Sequence, residues 1–96
     1  MSSLKTSKED KWRVALSNDA VKFYKKVPVE LAKRINSALD KLAENPLMAG
    51  VRPVKTERGV YRIRISNVRL LFGLNKKARI IEVFAIVPRS EAYKRK

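Results

Sequence analysis

The sequence predicts an α+β fold: a two-layer β-α-α-β-β-β domain with a helical hairpin packed on one face of a curved, mostly antiparallel sheet. Three observations predict it. Apolar residues recur at helical spacing from Ala20 to Leu42, alternate at strand spacing from Tyr61 to Phe72, and crowd into the run ARIIEVFAIV at 78–87. The chain has 96 residues, 45% of them apolar. A chain of that size buries roughly 60–65% of its unfolded surface, enough for one modest core and no second domain.

The elements follow in order. Residues 1–10 (MSSLKTSKED) are small, polar and charged and read as a disordered arm, so the domain proper spans 11–96. Trp12, Val14 and Leu16 alternate with Arg13, Ala15 and Ser17, the pattern of a short strand. Ser17, Asn18 and Asp19 are good N-cap residues. Behind them Ala20, Phe23, Tyr24 and Val27 mark a helix to about Val27. Pro28 restarts the chain, and proline is favoured in the first helical turn, where Glu30 also suits the helix dipole. Leu31, Ile35, Ala38, Leu39 and Leu42 form the apolar stripe of a second helix that Asn45-Pro46 ends. Lys22, Lys25, Lys26, Lys33 and Lys41 fall on the wet face of this hairpin, Tyr24 between its helices and Trp12 at the edge of the core. Leu47 to Arg58 is a connector. Strands are expected over 61–65, 68–72 and 78–87, and Pro88 stops the last. Because 78–87, after Arg79 near its start, is apolar on both parities apart from Glu82, a central strand covered on both faces is expected, with Glu82 paired to a nearby cation. The tail from Arg89 fits one further helical turn.

Composition narrows the function. The chain lacks cysteine and histidine, which removes disulfides, thiol nucleophiles, imidazole acid–base chemistry and zinc sites of the usual ligands. No cofactor or metal is expected. No apolar run approaches the ~20 residues of a membrane span, and the first ten residues are too polar for a signal peptide. A cytoplasmic protein is expected. The net charge is +14, which predicts a polyanionic partner. Residues 1–50 hold ten basic and six acidic side chains (+4); residues 51–96 hold thirteen and three (+10). Eight of the ten arginines lie in the second half, and guanidinium forks suit bidentate phosphate contact.

The segment Tyr61–Phe72 sharpens this. With Ser66-Asn67 as a two-residue hairpin loop, Ile65 faces Val68, Arg64 faces Arg69, Ile63 faces Leu70 and Arg62 faces Leu71. Tyr61, Ile63, Ile65, Val68, Leu70 and Phe72 then share the face beneath the helices. Arg62, Arg64 and Arg69 share the other. Like charges directly opposite are mildly destabilising, and a bound phosphate relieves that repulsion. A plain solvated face is the competing reading.

These residues carry a resemblance. The stretch YRIRISNVRLLF (61–72), the strand IIEVFAIV and the ending PRSEAYK (88–94) together resemble the RelE/ParE toxin superfamily, closest to its RelE branch in the short form with a P-R-x-x-A-Y-K tail. The resemblance covers Lys11 to Lys96. It implies a ribosome-dependent endoribonuclease that cleaves mRNA in the A site without a metal and contacts ribosomal RNA. It also implies a cognate RelB-like antitoxin, bound in a heterotetrameric complex. By position, the site residues it implies are Arg62, Arg64, Arg69, Arg89 and Tyr93. The implied chemistry is attack of a ribose 2′-hydroxyl on the adjacent phosphodiester. Many relatives carry lysine where Arg62 and Arg64 stand, and arginine does not deprotonate in proteins. The general base therefore stays open between Tyr93, Glu91 and a ribosomal group. Two other readings also stay open: a ParE-like gyrase inhibitor, and a relative that binds RNA or ribosomes without cleaving.

Overall fold

The computed structural model describes residues 11–88. The element order is β1 (Arg13–Leu16), α1 (Asn18–Lys26), α2 (Val29–Glu44), β2 (Arg52–Pro53), β3 (Val60–Ile65), β4 (Val68–Asn75) and β5 (Ile80–Pro88). The expected arm at 1–10 and the expected helical turn after Arg89 lie outside the described residues.

The chain-order reading is met, with one strand added. A single five-stranded sheet runs β1-β5-β4-β3-β2. β1 joins β5 in parallel; every other pairing is antiparallel. The parallel pair is separated in sequence by both helices and three strands, so closing it ties the two ends of the fold together. β2 was hidden within the connector because a two-residue strand has no periodicity to read.

Local chemistry explains the helices. Ser17 is the N-cap of α1, its Oγ accepting from the Ala20 N–H at 3.1 Å. The C-terminal turn of α1 carries Lys25 and Lys26, favourable at the negative end of the dipole. Pro28 is the N-cap of α2, and Asn45 closes it, its N–H donating to the Lys41 carbonyl. The Asn45 side chain then accepts from the Leu47 N–H at 3.2 Å and turns the chain away.

Both helices cover one face of the sheet. Ala20, Ile35 and Leu42 from the helices meet Ile63, Ile65, Val68, Leu70, Phe72, Ile81, Val83 and Ile86 from the strands. Phe72, Ile35, Leu42, Leu70, Ile81 and Val83 are fully buried. Each such side chain contributes about 1.5–3 kcal/mol of transfer free energy, and among the described residues no polar residue is fully buried with them. Tyr61 stacks on Phe72 at 5.9 Å between ring centroids, on the core side as its parity requires. Tyr24 and Trp12 pack against the rim of this core. Trp12 is held from outside by the Arg79 guanidinium, 5.2 Å from the ring centroid.

β5 departs from expectation in a revealing way. It is central, between β1 and β4, but only its inner face is covered: Ile81, Val83 and Ile86 are buried while Glu82 and Phe84 are exposed. Leu71 pairs with Ala85 and Phe72 with Val83, so Phe84 is skipped by the ladder. This β-bulge shifts the inward parity from 81 and 83 to 86. Two alternating patterns out of phase read in sequence as one continuous apolar run. Ala78 and Arg79 fall in the turn that precedes the strand, whose first residue, Ile80, pairs with Asn75.

Candidate nucleic-acid interface

The face of the sheet away from the helices gathers arginines through register. Arg64 pairs directly with Arg69, and Arg62 with Leu71, as the hairpin reading expects. Within the turn Ser66 takes the left-handed conformation, at φ 56°. β2 adds a residue that sequence reasoning missed. Arg52 pairs with Arg62 across β2 and β3, on the same outer face. Its signal was only that it belonged to the arginine-rich half. On the other flank Val87 pairs with Arg69.

Arg52, Arg62, Arg64 and Arg69 thus occupy adjacent positions on three strands. Partners across strands stand about 5 Å apart, and alternate residues along one strand about 7 Å apart. Arg52 and Arg64 are exposed, Arg62 and Arg69 partly buried. Beside them Leu71 on β4 and Ala85 and Val87 on the neighbouring β5 form a half-buried apolar strip. A polyanion meeting this patch finds several guanidinium forks over low-polarity ground, where charge-assisted hydrogen bonds are strong. Glu82 is the acidic side chain on the outer face of β5, exposed, with the uncharged Ala15 and Gly73 as its register neighbours. Arg89 and Tyr93 lie outside the described residues; Pro88, which directly precedes Arg89, pairs with Val68.

A second feature lies where the helical layer meets the sheet edge. Because β2 spans only Arg52–Pro53, opposite Arg62 and Tyr61, the edge of β3 beyond Arg62 has no partner strand among the described residues. An open groove of about 550 Å³ runs there between α2 and β3. Lys33, Arg34, Lys41 and Arg64 line it as cations, Glu30 as the acidic member, with Ala38, Met48 and Ile63 among its apolar residues. Arg64 therefore borders both the groove and the arginine patch.

A sheet of this order, a helical hairpin on one side and guanidinium groups on the other define a small two-layer α+β domain with a basic outer face. The family model for the ParE toxin of the type II toxin-antitoxin system parDE matches residues 11–93. The chain belongs to this family, within the RelE/ParE superfamily. No curated protein sequence matches the chain significantly. Among solved structures, the RelE of the archaeal RelE-RelB complex from Pyrococcus horikoshii is similar, with TM-score 0.73 and 23% identity over 82% of this chain and 96% of that one. Isolated Escherichia coli RelE gives TM-score 0.71 at 18% identity, over 88% and 97%. The RelBE2 toxin–antitoxin complex of Mycobacterium tuberculosis gives 0.70 at 19%, over 82% and 99%. The fold is that of the RelE toxins. No helix among the described residues is long and apolar enough to cross a membrane.

Proposed function

We propose that this toxin is a ribosome-dependent endoribonuclease that cuts mRNA in the A site, using the outer arginine face to hold the scissile linkage. The observation that carries the reading is the direct cross-strand pairing of Arg64 with Arg69, flanked by Arg62 and Arg52. A sheet selected for stability alone gains from an opposite charge or a threonine at such a pair. A phosphate between the two guanidinium groups turns repulsion into attraction.

In this reading the 2′-oxygen attacks the neighbouring phosphorus, the P–O5′ bond breaks, and a 2′,3′-cyclic phosphate and a 5′-hydroxyl result. The 2′-hydroxyl proton goes to the general base, and the departing 5′-oxygen takes up a proton from Arg89 or from the protonated base. Arg69 and Arg89 stabilise the charge that builds on the non-bridging oxygens, the kind of preorganised contact whose removal costs about 10²–10³ in rate. Arg62 and Arg64 bind and orient the backbone. Tyr93 stacks on a base or assists proton transfer. With arginine at 62 and 64 the general base is Tyr93, Glu91 or a ribosomal group, and positioning carries much of the rate. The partners are mRNA on the ribosome, ribosomal RNA and a RelB-like antitoxin. The groove between α2 and β3 suits an acidic amphipathic segment of that antitoxin, cations at its rim and methyl groups at its floor.

The match to the ParE toxin model favours a second reading, inhibition of DNA gyrase. A coupled translation assay and a gyrase supercoiling assay separate the two. The endoribonuclease reading expects translation to stop and supercoiling to proceed; inhibited supercoiling with translation untouched overturns it.

A further inference from the structure

We propose that Phe84 is a stacking platform for an unpaired nucleobase of the bound RNA. The proposal rests on the reading of the outer face as an RNA site and extends it from backbone to base recognition.

Phe84 is 44% exposed, one of few large apolar side chains so placed among the described residues. Alternation along β5 puts it there, outward like Glu82, and the β-bulge leaves it unpaired: the ladder skips from Val83 to Ala85, which follows Phe84 on the outer face. The bulge is fixed rather than incidental, because the Ser17 Oγ–H donates to the Phe84 carbonyl at 2.6 Å while the Ser17 N–H donates to the Val83 carbonyl at 2.9 Å. The helix cap and the bulge therefore share one serine.

The ring has a prepared bed. A Cβ at Gly73 would stand 2.9 Å from Phe84 Cζ and 3.0 Å from Cε2, so only glycine admits the ring in its present place. Gly73 pairs with Val60, one outward position along the strands from the Arg62–Leu71 pair. The phenyl ring thus lies one step, about 7 Å, from the arginine patch. An exposed aromatic beside a row of guanidinium groups is the arrangement by which proteins grip single-stranded nucleic acid, phosphates on the cations and bases on the ring. A protein segment resting on Phe84 would use its apolar surface; a base uses its π-face, and the test separates the two.

The full chain is titrated into a fluorescein-labelled hexaribonucleotide and into a ribose-phosphate hexamer of the same charge without bases. Phe84→Leu, which keeps an apolar side chain but no π-face, is expected to weaken the base-bearing oligomer by roughly 5- to 100-fold. It should leave the abasic oligomer unchanged. Phe84→Trp restores the base-bearing affinity, and Gly73→Ala, which displaces the ring, mimics Phe84→Leu. Arg62→Ala weakens both oligomers alike. The stacking role is overturned if Phe84→Leu, with an unchanged melting temperature, binds the base-bearing oligomer as wild type does, or loses both oligomers equally. If the wild-type chain binds neither oligomer, the RNA reading of the face falls, and the stacking role with it.

Discussion

Arg64 and Arg69 face each other across β3 and β4, and their proximity divides stability from function. Removing one charge relieves a like-charge pair worth about 0.2–1 kcal/mol. Arg64→Thr is therefore expected to raise the melting temperature by about 1–6 °C at low salt, read by circular dichroism. The same variant should inhibit translation less than wild type does. A variant that is both less stable and equally toxic would assign Arg64 a packing role. Arg52 belongs to the same patch through its pairing with Arg62, and Arg52→Ala is expected to weaken RNA binding without lowering the melting temperature, since it too relieves a like-charge pair.

At the scale of elements, two short features set the shape of the outer face. Ser17 caps α1 and holds the bulge carbonyl of Phe84. Ser17→Ala should lower stability by about 1–2 kcal/mol in urea unfolding, more than a lone cap at an exposed helix end. Ser66 holds φ 56° in the β3–β4 turn, a conformation costing a residue with a Cβ about 1–2 kcal/mol. Glycine there removes the strain and gives back part of it as chain entropy, so Ser66→Gly is expected to stabilise by about 0.5–1 kcal/mol. Elements with strong periodicity were legible in the sequence. The stripe from Leu31 to Leu42 and the alternation from Tyr61 to Phe72 fixed α2 and the β3–β4 register, including the Arg64–Arg69 pair. What escaped was set by tertiary contact. β2 exists only because Arg52 and Pro53 happen to lie beside β3, and the bulge at Phe84 needs β4 and Ser17 to define it. The bulge is also why 78–87 read as a strand covered on both faces: a parity change looks like an unbroken apolar run.

For the whole molecule, the charge of +14 is concentrated as +10 in residues 51–96. The fold carries Arg52, Arg62, Arg64 and Arg69 from that half to a single face. If these four each neutralise one phosphate, the logarithm of RNA affinity should fall against the logarithm of salt concentration with a slope of about −3. A slope near zero would mean that the patch makes no ionic contact with the strand. Binding of a RelB-like antitoxin through the α2–β3 groove should weaken with salt as well, because its cations are screened.

The most direct measurement is primer extension on ribosome-bound message, with wild type beside Arg69→Ala and Arg89→Ala. We expect wild type to create new 5′ ends at the A-site codon, and each variant to slow their appearance about 10²-fold or more. Wild-type protein that yields no new ends, or variants that cut as fast as wild type, would contradict cleavage by the arginine face.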